Sequence, residues 1–326
     1  MTTTHAIRFD QYGGPEVLQW RTLELPDPGY GEVLVRQEAI GLNFIDVYHR
    51  SGLYPQPLPG SLGGEAAGVI EAVGPGVEGL AVGDRVGYCT GAPGAYAQRR
   101  IVPVAPLIKL PDDISFDVAA ASLLKGLTAY YLLHRTRALN AGDVALFHAA
   151  AGGVGLIAGQ MARALGATLI GTAGSAHKCA LALDNGYAHA IDYVRDDFVA
   201  RVKDLTAGRG VPVVYDSVGR DTWARSLACL QPFGLMVSFG NASGAVPPIK
   251  LTDLAAAGSL YVTRPTLGTH MADPVVKQRM ADALFAFIRS GQVEIHINQR
   301  YPLADAAQAH RDLESRKTIG STVLLP

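Results

Sequence analysis

Short runs of apolar and β-branched residues, bounded by Gly and Pro, make up most of the chain as far as about residue 125. Three of these runs predict β-strands, at Glu32–Ile40, Glu65–Gly74 and Asp84–Cys89. Short strands with frequent turn residues between them are typical of a compact β module. We therefore expect the chain to begin with a β-rich domain.

From Ser115 onward, Ala-rich segments of helical period alternate with short β-branched runs. The segment Gly155–Leu165 is apolar on nearly all sides, as expected for a helix packed on a sheet. Because parallel strands need crossover connections, this alternation indicates an α/β fold with a doubly wound parallel sheet. The strands predicted here are Val144–His148, Ala167–Thr172, Ala190–Tyr193, Val213–Asp216, Leu235–Phe239 and Ser259–Val262.

The tail from about Tyr301, which ends in STVLLP, returns to a strand-like composition. We expect it to rejoin the β-rich domain rather than to form a third one. The predicted division is residues 1–127, completed by 266–326, for the β-rich domain and residues 128–265 for the α/β domain.

Composition and charge narrow the class of partner. Of the 326 residues, 48% are hydrophobic and 17% charged, which suits two ordinary cores. With 28 basic and 29 acidic residues the net charge is -1, so the chain has no general electrostatic attraction to nucleic acid or to an anionic membrane. We expect a small-molecule partner.

The N-terminus and the cysteines bear on location. MTTTHAIRFD lacks the basic and apolar segments of a secretory signal, and no apolar stretch is long enough to cross a membrane, so we expect a cytoplasmic protein. Cys89, Cys179 and Cys229 lie far apart and are odd in number, which predicts reduced, buried thiols rather than disulfides or a zinc site.

The sharpest motif is a glycine-rich turn, Ala149-x-x-Gly152-x-x-Gly155, between a predicted strand and a predicted helix. A dinucleotide pyrophosphate needs close backbone approach, unpaired N–H groups and a helix N-terminus. The motif can supply all three, although Ala150 replaces the first glycine of the usual fingerprint. A merely structural turn is the alternative.

The end of the next strand predicts which dinucleotide binds. An NAD enzyme places Asp or Glu there to hold the ribose 2′-hydroxyl, whereas this chain has GTAGSAHKCA. Gly174 allows a turn, Ser175 can donate a hydrogen bond, and Lys178 can meet a 2′-phosphate. We therefore expect NADPH rather than NADH, unless Lys178 simply solvates a helix start.

Long blocks of the chain resemble the quinone oxidoreductases related to zeta-crystallin, a zinc-free branch of the medium-chain dehydrogenase/reductase superfamily. They include IGLNFIDVYHRSGLYP, KGLTAYYLL, FHAAAGGVGLIA, VVYDSVGRDTWARSL and GLMVSFGNASGAV. The resemblance implies a GroES-like catalytic domain, split around a Rossmann domain that binds NADPH. It also implies an NADPH-dependent enzyme that reduces quinones.

The resemblance further implies which residues contact NADPH. Asn43 and Tyr54 belong to the nicotinamide half and are also the candidates, together with Tyr130, for orienting the acceptor carbonyl. The remaining implied contacts are Thr128, Ala151, Gly152, Gly153, Val154 and Gly155 at the pyrophosphate; Gly174, Ser175, Lys178 and Tyr193 at the 2′-phosphate end; and Ser217, Phe239, Asn241 and Arg316.

Zinc ligands are missing from this sequence. Zinc-dependent relatives carry a Cys ligand in one stretch and a His ligand in another. In this chain the corresponding stretches are GLNFIDVY, which contains no Cys, and LGGEAAG, in which Gly64 takes the place of the His. We predict that no metal is bound; an improvised site of Asp46, His49 and Glu65 is the alternative. Without zinc, an electrophilic quinone suits the site better than a simple alcohol or ketone.

The sequence is compatible with two other functions, and it also predicts an oligomeric state. The same zinc-free site would serve an NADPH-dependent reductase of enones or alkenals. A non-catalytic NADPH-binding protein with a structural or RNA-binding role is the second alternative, although the near-neutral charge gives RNA little to bind. Family resemblance and the strand-like segment GSLYVTRP favour a homodimer.

Overall fold

The chain divides into two units in a computed structural model that describes residues 1–326. Unit 1 comprises Met1–Lys125 and Ile295–Pro326, and unit 2 comprises Gly126–Glu294. Each unit has its own hydrophobic core, one around the β-rich sheets and one around a parallel sheet. The two regions that the sequence pattern distinguishes therefore fold around separate cores.

Sixteen strands and ten α-helices make up the two units. The strands are β1 (Thr2–Phe9), β2 (Gln19–Leu25), β3 (Glu32–Leu42), β4 (Gly60–Ser61), β5 (Glu65–Val73), β6 (Arg85–Tyr88), β7 (Arg99–Pro103), β8 (Ile108–Lys109), β9 (Val144–Phe147), β10 (Thr168–Ala173), β11 (His189–Asp192), β12 (Val211–Asp216), β13 (Leu230–Ser238), β14 (Tyr261–Thr263), β15 (Ile297–Pro302) and β16 (Ser321–Leu325). The helices are α1 (Phe44–Ser51), α2 (Phe116–Tyr131), α3 (Gly153–Ala164), α4 (Ala176–Asp184), α5 (Phe198–Leu205), α6 (Trp223–Cys229), α7 (Leu251–Ala256), α8 (Leu267–His270), α9 (Pro274–Arg289) and α10 (Ala306–Glu314). None of these helices combines the length and the apolar character that crossing a membrane requires.

Unit 1 is built on a seven-stranded sheet with the order β15-β16-β3-β5-β6-β8, in which β7 also pairs with β3. A smaller sheet has the order β2-β1-β4. The long strand β3 lies antiparallel to β5, in a register that sets Gly41 opposite Glu65. Because β16 pairs with β3, the C-terminal tail belongs to unit 1.

Unit 2 contains a six-stranded parallel sheet with the order β11-β10-β9-β12-β13-β14. All six predicted strands of this region are present, and the α/β class predicted from the alternation is confirmed. The strand order reverses direction between β9 and β12, which is the point where open α/β sheets bind ligands, beyond the carboxyl ends of the strands.

Residues 266–294 pack in unit 2, whereas the sequence analysis assigned them to the first domain. The amphipathic helix α9 explains the difference, since it buries Met280, Leu284 and Phe285. A Cβ on Gly126 would lie only 2.5 Å from Leu284 Cδ1, so α2 and α9 approach closely at this glycine. The polar exposed face of α9 hides this packing when composition alone is considered.

Candidate active site

The glycine-rich turn connects β9 to α3 and contains the predicted residues Ala151, Gly152, Gly153, Val154 and Gly155. Ala149 has a φ of 55°, and the Gly152 N–H donates to the Ala149 carbonyl at 3.0 Å. A Cβ on Gly155 would lie 2.5 Å from Ala149 O and 2.6 Å from Ala150 O, so only glycine fits. Helix α3 begins at Gly153, so the last three of the predicted residues form its first turn, and their N–H groups are left for an anion. The cradle fits a pyrophosphate.

Four predicted residues meet at the carboxyl ends of β10 and β11. Ser175 caps α4, because its hydroxyl accepts from the Lys178 N–H at 3.3 Å. A Cβ on Gly174 would lie 2.7 Å from the hydroxyl oxygen of Tyr193. The last residue of β10 is Ala173, so no carboxylate stands at the position that would receive a ribose 2′-hydroxyl.

Ser217, Phe239 and Asn241 lie together at the carboxyl ends of β12 and β13. A Cβ on Gly240 would lie 2.5 Å from the Ser217 carbonyl oxygen, which shows how closely these two loops pack. The ring of Phe239 lies 5.7 Å from that of Phe147 at the end of β9. Unit 2 also holds Thr128, buried on α2.

A buried polar network that the sequence analysis missed supports the turn. His148, which follows β9, lies 2.8 Å from Thr172 Oγ1 and 2.9 Å from Ser226 Oγ. Because Ser226 donates to Asp216 Oδ2 at 2.9 Å, the His148 Nε2–H must donate to Ser226, and Nδ1 accepts from Thr172. Burial lowers the pKa of His148, which favours this neutral form. The network is a structural support, since it has no exposed nucleophile.

In unit 1, four residues form what we call the Glu65 cluster: Asn43, Glu65, Leu124 and Lys125. Glu65 is fully buried, and its Oε2 accepts from Asn43 Nδ2 at 2.7 Å and from Lys125 Nζ at 3.3 Å. Its Oε1 accepts from the Leu124 N–H at 2.6 Å. A Cβ on Gly41 would lie 2.1 Å from Glu65 Oε2, so a glycine opposite Glu65 leaves room for the carboxylate.

A second buried network in unit 1 begins one helical turn after Asn43. Asp46 Oδ2 accepts from the Asn43 N–H at 2.9 Å and from the Tyr96 hydroxyl at 3.0 Å. His310 lies between Tyr96, at 3.1 Å, and the guanidinium of Arg50, at 2.9 Å. Burial raises the pKa of Asp46 to about 7, while burial and the nearby Arg50 lower the pKa of His310 to about 3.

Three further predicted residues occupy different surroundings. Tyr54 is half-buried after α1, with its ring 5.1 Å from that of Tyr48. Arg316 is exposed in the loop after α10, in unit 1, with a φ of 59°. Tyr130, on α2 in unit 2, stacks against His134 at 4.3 Å.

The residues of the imagined metal site have separate partners. Asp46 accepts a hydrogen bond from Tyr96, and Glu65 accepts one from Asn43. His49 Nδ1 lies 3.2 Å from the Tyr54 carbonyl oxygen. The structure has no group of three or more His, Cys, Asp or Glu side chains arranged to hold a metal ion. Metal independence stays a prediction that rests on the residues at the expected ligand positions.

Comparison with known proteins matches both units to family models. Residues 29–112 match the alcohol dehydrogenase GroES-like domain, and residues 153–285 match the model described as zinc-binding dehydrogenase. A quinone oxidoreductase of Pseudomonas aeruginosa is 56% identical over 98% of this chain and 99% of its own length. The chain belongs to the quinone oxidoreductase family. Both the GroES-like and the Rossmann assignment are thereby confirmed.

Two further proteins are similar to this member of the quinone oxidoreductase family over nearly its whole length. A crystal structure of Escherichia coli quinone oxidoreductase complexed with NADPH has a TM-score of 0.97 and 52% identity, and the match covers 100% of both chains. A 2-haloacrylate reductase of Burkholderia is 44% identical, over 96% of this chain and 96% of its own length. Similarity of this extent covers both units, including every predicted site residue.

Proposed function

We propose that this chain is an NADPH-dependent enzyme that reduces quinones without a metal. The observation that carries the proposal is a sequence identity of 52 to 56%, over nearly the whole length, to two quinone oxidoreductases, one of which was crystallised with NADPH. The glycine-rich turn and the missing acid after β10 support the cofactor independently of that similarity.

The residues of unit 2 suit NADPH in chemical type and placement. The turn Ala151–Gly155 offers backbone N–H groups at the start of α3 to the pyrophosphate. Lys178 supplies a positive charge and Ser175 a hydroxyl for the 2′-phosphate, beside Tyr193. Ser217, Phe239 and Asn241 extend the site along the carboxyl ends of the strands, while Thr128 serves the pyrophosphate from α2. Bound NADPH supplies the reducing equivalents of the nicotinamide ring.

Unit 1 contributes the proposed nicotinamide and acceptor residues Asn43 and Tyr54, and Arg316 for the phosphate end. Tyr54 carries a hydroxyl beside the ring of Tyr48 and can orient an acceptor carbonyl. A quinone is electrophilic without a Lewis acid, and the oxygen that it reduces is phenolic, so positioning is the main demand on the protein. A Tyr54→Phe variant with unchanged kcat would remove the hydroxyl from any part in the reaction.

Reduction of an activated alkene is the second candidate, because the 2-haloacrylate reductase shares 44% identity. The quinone oxidoreductases are more similar, which favours quinones. Parallel steady-state assays with 1,4-benzoquinone, a naphthoquinone, an alkenal and 2-chloroacrylate decide between the two. We expect the highest kcat/KM with a quinone; a larger value with 2-chloroacrylate would reassign the substrate class.

We also propose a homodimer that forms through β14. This strand lies at the edge of the parallel sheet and pairs only with β13, and it exposes Tyr261 and Val262. An unpaired, partly apolar edge suits pairing with the same strand of a second copy. Analytical ultracentrifugation should give twice the chain mass, and a Val262→Pro variant should give the monomer.

A cytoplasmic location completes the proposal. Cys89, Cys179 and Cys229 are buried and form no disulfide, which suits a reducing compartment. Fractionation of cells that express the chain should recover it with the cytosolic markers.

A further inference from the structure

The Glu65 cluster fixes which way round the amide of Asn43 stands. Asn43 Nδ2 lies 2.7 Å from Glu65 Oε2 and 3.3 Å from the Gly41 carbonyl oxygen. Both partners are acceptors, so the NH₂ group must face them and the opposite orientation would set oxygen against oxygen. The two N–H groups of this side chain are thereby used within the protein.

Two further donors and one glycine hold the carboxylate that fixes this amide. Lys125 Nζ donates to Glu65 Oε2, and the Leu124 N–H donates to Glu65 Oε1. Gly41 has no Cβ and so leaves room for the carboxylate. Glu65 is fully buried and Lys125 nearly so, which strengthens the ion pair because water screens it little.

We infer that Glu65 is a positioning residue, which makes Asn43 a hydrogen-bond acceptor toward the nicotinamide half of NADPH and prevents it from donating to the quinone carbonyl. The remaining polar atom of Asn43 is Oδ1, which faces the Asp46 N–H in the capping box of α1 and has a second lone pair, so it can accept once more but cannot donate. A quinone oxygen is itself an acceptor, whereas the carboxamide NH₂ and the ribose hydroxyls of the cofactor are donors. The inference rests on the proposed function, and it assigns Asn43 to the cofactor rather than to the acceptor.

The test compares Asn43→Ala and Glu65→Gln with a matched control, Glu71→Gln. Glu71 lies on the same strand as Glu65, but it is partly exposed and pairs with both Arg36 and Arg99. NADPH Kd is measured by fluorescence without any acceptor, and the KM for benzoquinone is measured separately. Because one directed hydrogen bond contributes about 1.4 kcal/mol, we expect about tenfold weaker NADPH binding in both test variants. In both test variants the KM for benzoquinone should stay within about twofold of the wild-type value. In Glu71→Gln both the NADPH Kd and the benzoquinone KM should stay within that range.

An NADPH analogue identifies the donor that Asn43 recognises. The reduced 3-acetylpyridine analogue has a methyl group in place of the carboxamide nitrogen. If Asn43 accepts from the carboxamide, wild type should prefer NADPH over the analogue about tenfold and Asn43→Ala should lose that preference. If it accepts from a ribose hydroxyl, Asn43→Ala should weaken both cofactors equally.

Two results would overturn the inference. One is a raised quinone KM with unchanged NADPH Kd in Asn43→Ala, which keeps the Glu65–Lys125 ion pair and so should remain folded. The other is normal NADPH binding by a folded Glu65→Gln variant. Absence of quinone turnover in wild type, with NADPH still bound, would instead contradict the proposed function and leave the role of Asn43 measurable by Kd.

Discussion

The glycine-rich turn of unit 2 and the Glu65 cluster of unit 1 are proposed to serve NADPH by opposite means. The turn works through backbone atoms, and Gly155 matters because it has no side chain next to two carbonyl oxygens. The Glu65 cluster works through side chains, since a buried carboxylate arranges an amide and an ammonium around itself. A backbone cradle recognises charge with little reorganisation, whereas a buried ion pair fixes an orientation only while both of its charges are present.

Removing one charge from the Glu65 cluster should have the largest effect. In Lys125→Met, Glu65 remains buried without its counter-ion, so the free energy of unfolding should fall by about 3 to 5 kcal/mol. Lys109→Met is the matched control, because Lys109 pairs with Asp84 at an exposed position, 3.0 Å away, and should contribute less than about 1 kcal/mol. Equal losses in urea denaturation would show that burial of the pair is unimportant.

A methyl group in the turn should come next. In Gly155→Ala, the added Cβ would contact the carbonyl oxygens of Ala149 and Ala150 at 2.5 and 2.6 Å, so α3 must shift away from the phosphate. Loss of two charge-assisted backbone hydrogen bonds predicts NADPH binding weaker by about 100-fold or more. Gly268→Ala adds a Cβ in open space and should leave the Kd unchanged. Wild-type affinity in Gly155→Ala, measured by titration calorimetry, would refute the cradle.

Lys178 should account for a smaller, cofactor-specific effect. In Lys178→Ala the proposed 2′-phosphate contact is lost, so kcat/KM for NADPH should fall about 10- to 100-fold. NADH lacks this phosphate, and its kcat/KM should therefore change by less than about twofold. Lys250→Ala, at an exposed position of the same unit, should change neither. Equal losses for the two cofactors would mean that Lys178 acts on folding instead.

The smallest net effect is the pH dependence that the second buried network of unit 1 gives to the wild-type protein. The pKa of His310 is lowered to about 3, so the unfolded chain binds more protons below pH 6.5 and this residue makes stability rise with pH. The pKa of Asp46 is raised from 3.8 to about 7, so the folded chain binds more protons in that range and stability falls as pH rises. Between about pH 4 and 6.5 the two dependences should nearly cancel in wild type.

Single variants should separate these dependences. Relative to wild type, the stability of Asp46→Asn should rise by about 1.4 kcal/mol per pH unit from pH 4 to 6.5, and that of His310→Gln should fall by a similar amount. Denaturant titrations at half-unit pH steps measure both slopes. Parallel curves for the three proteins would show that neither group has the shifted pKa.

The same contrast explains what the sequence predicted. The strands of unit 2, helix α3 and the turn before it follow from local patterns, because backbone geometry there is set by neighbours in sequence. The Glu65 cluster joins residues 22 and 60 positions apart, and the His148 network joins residues up to 78 positions apart. No local pattern encodes such contacts. From the sequence, Glu65 is a candidate functional residue only as part of the alternative metal site with Asp46 and His49.

The most direct measurement is a steady-state comparison of NADPH and NADH with benzoquinone as acceptor, at equal enzyme and acceptor concentrations. Because Lys178 and the missing acid after β10 favour a 2′-phosphate, we predict quinone-dependent oxidation of NADPH with a kcat/KM at least about tenfold above that for NADH. Equal efficiency with NADH would contradict the assignment of the cofactor. Bound NADPH that no quinone oxidises would contradict the proposed reaction itself.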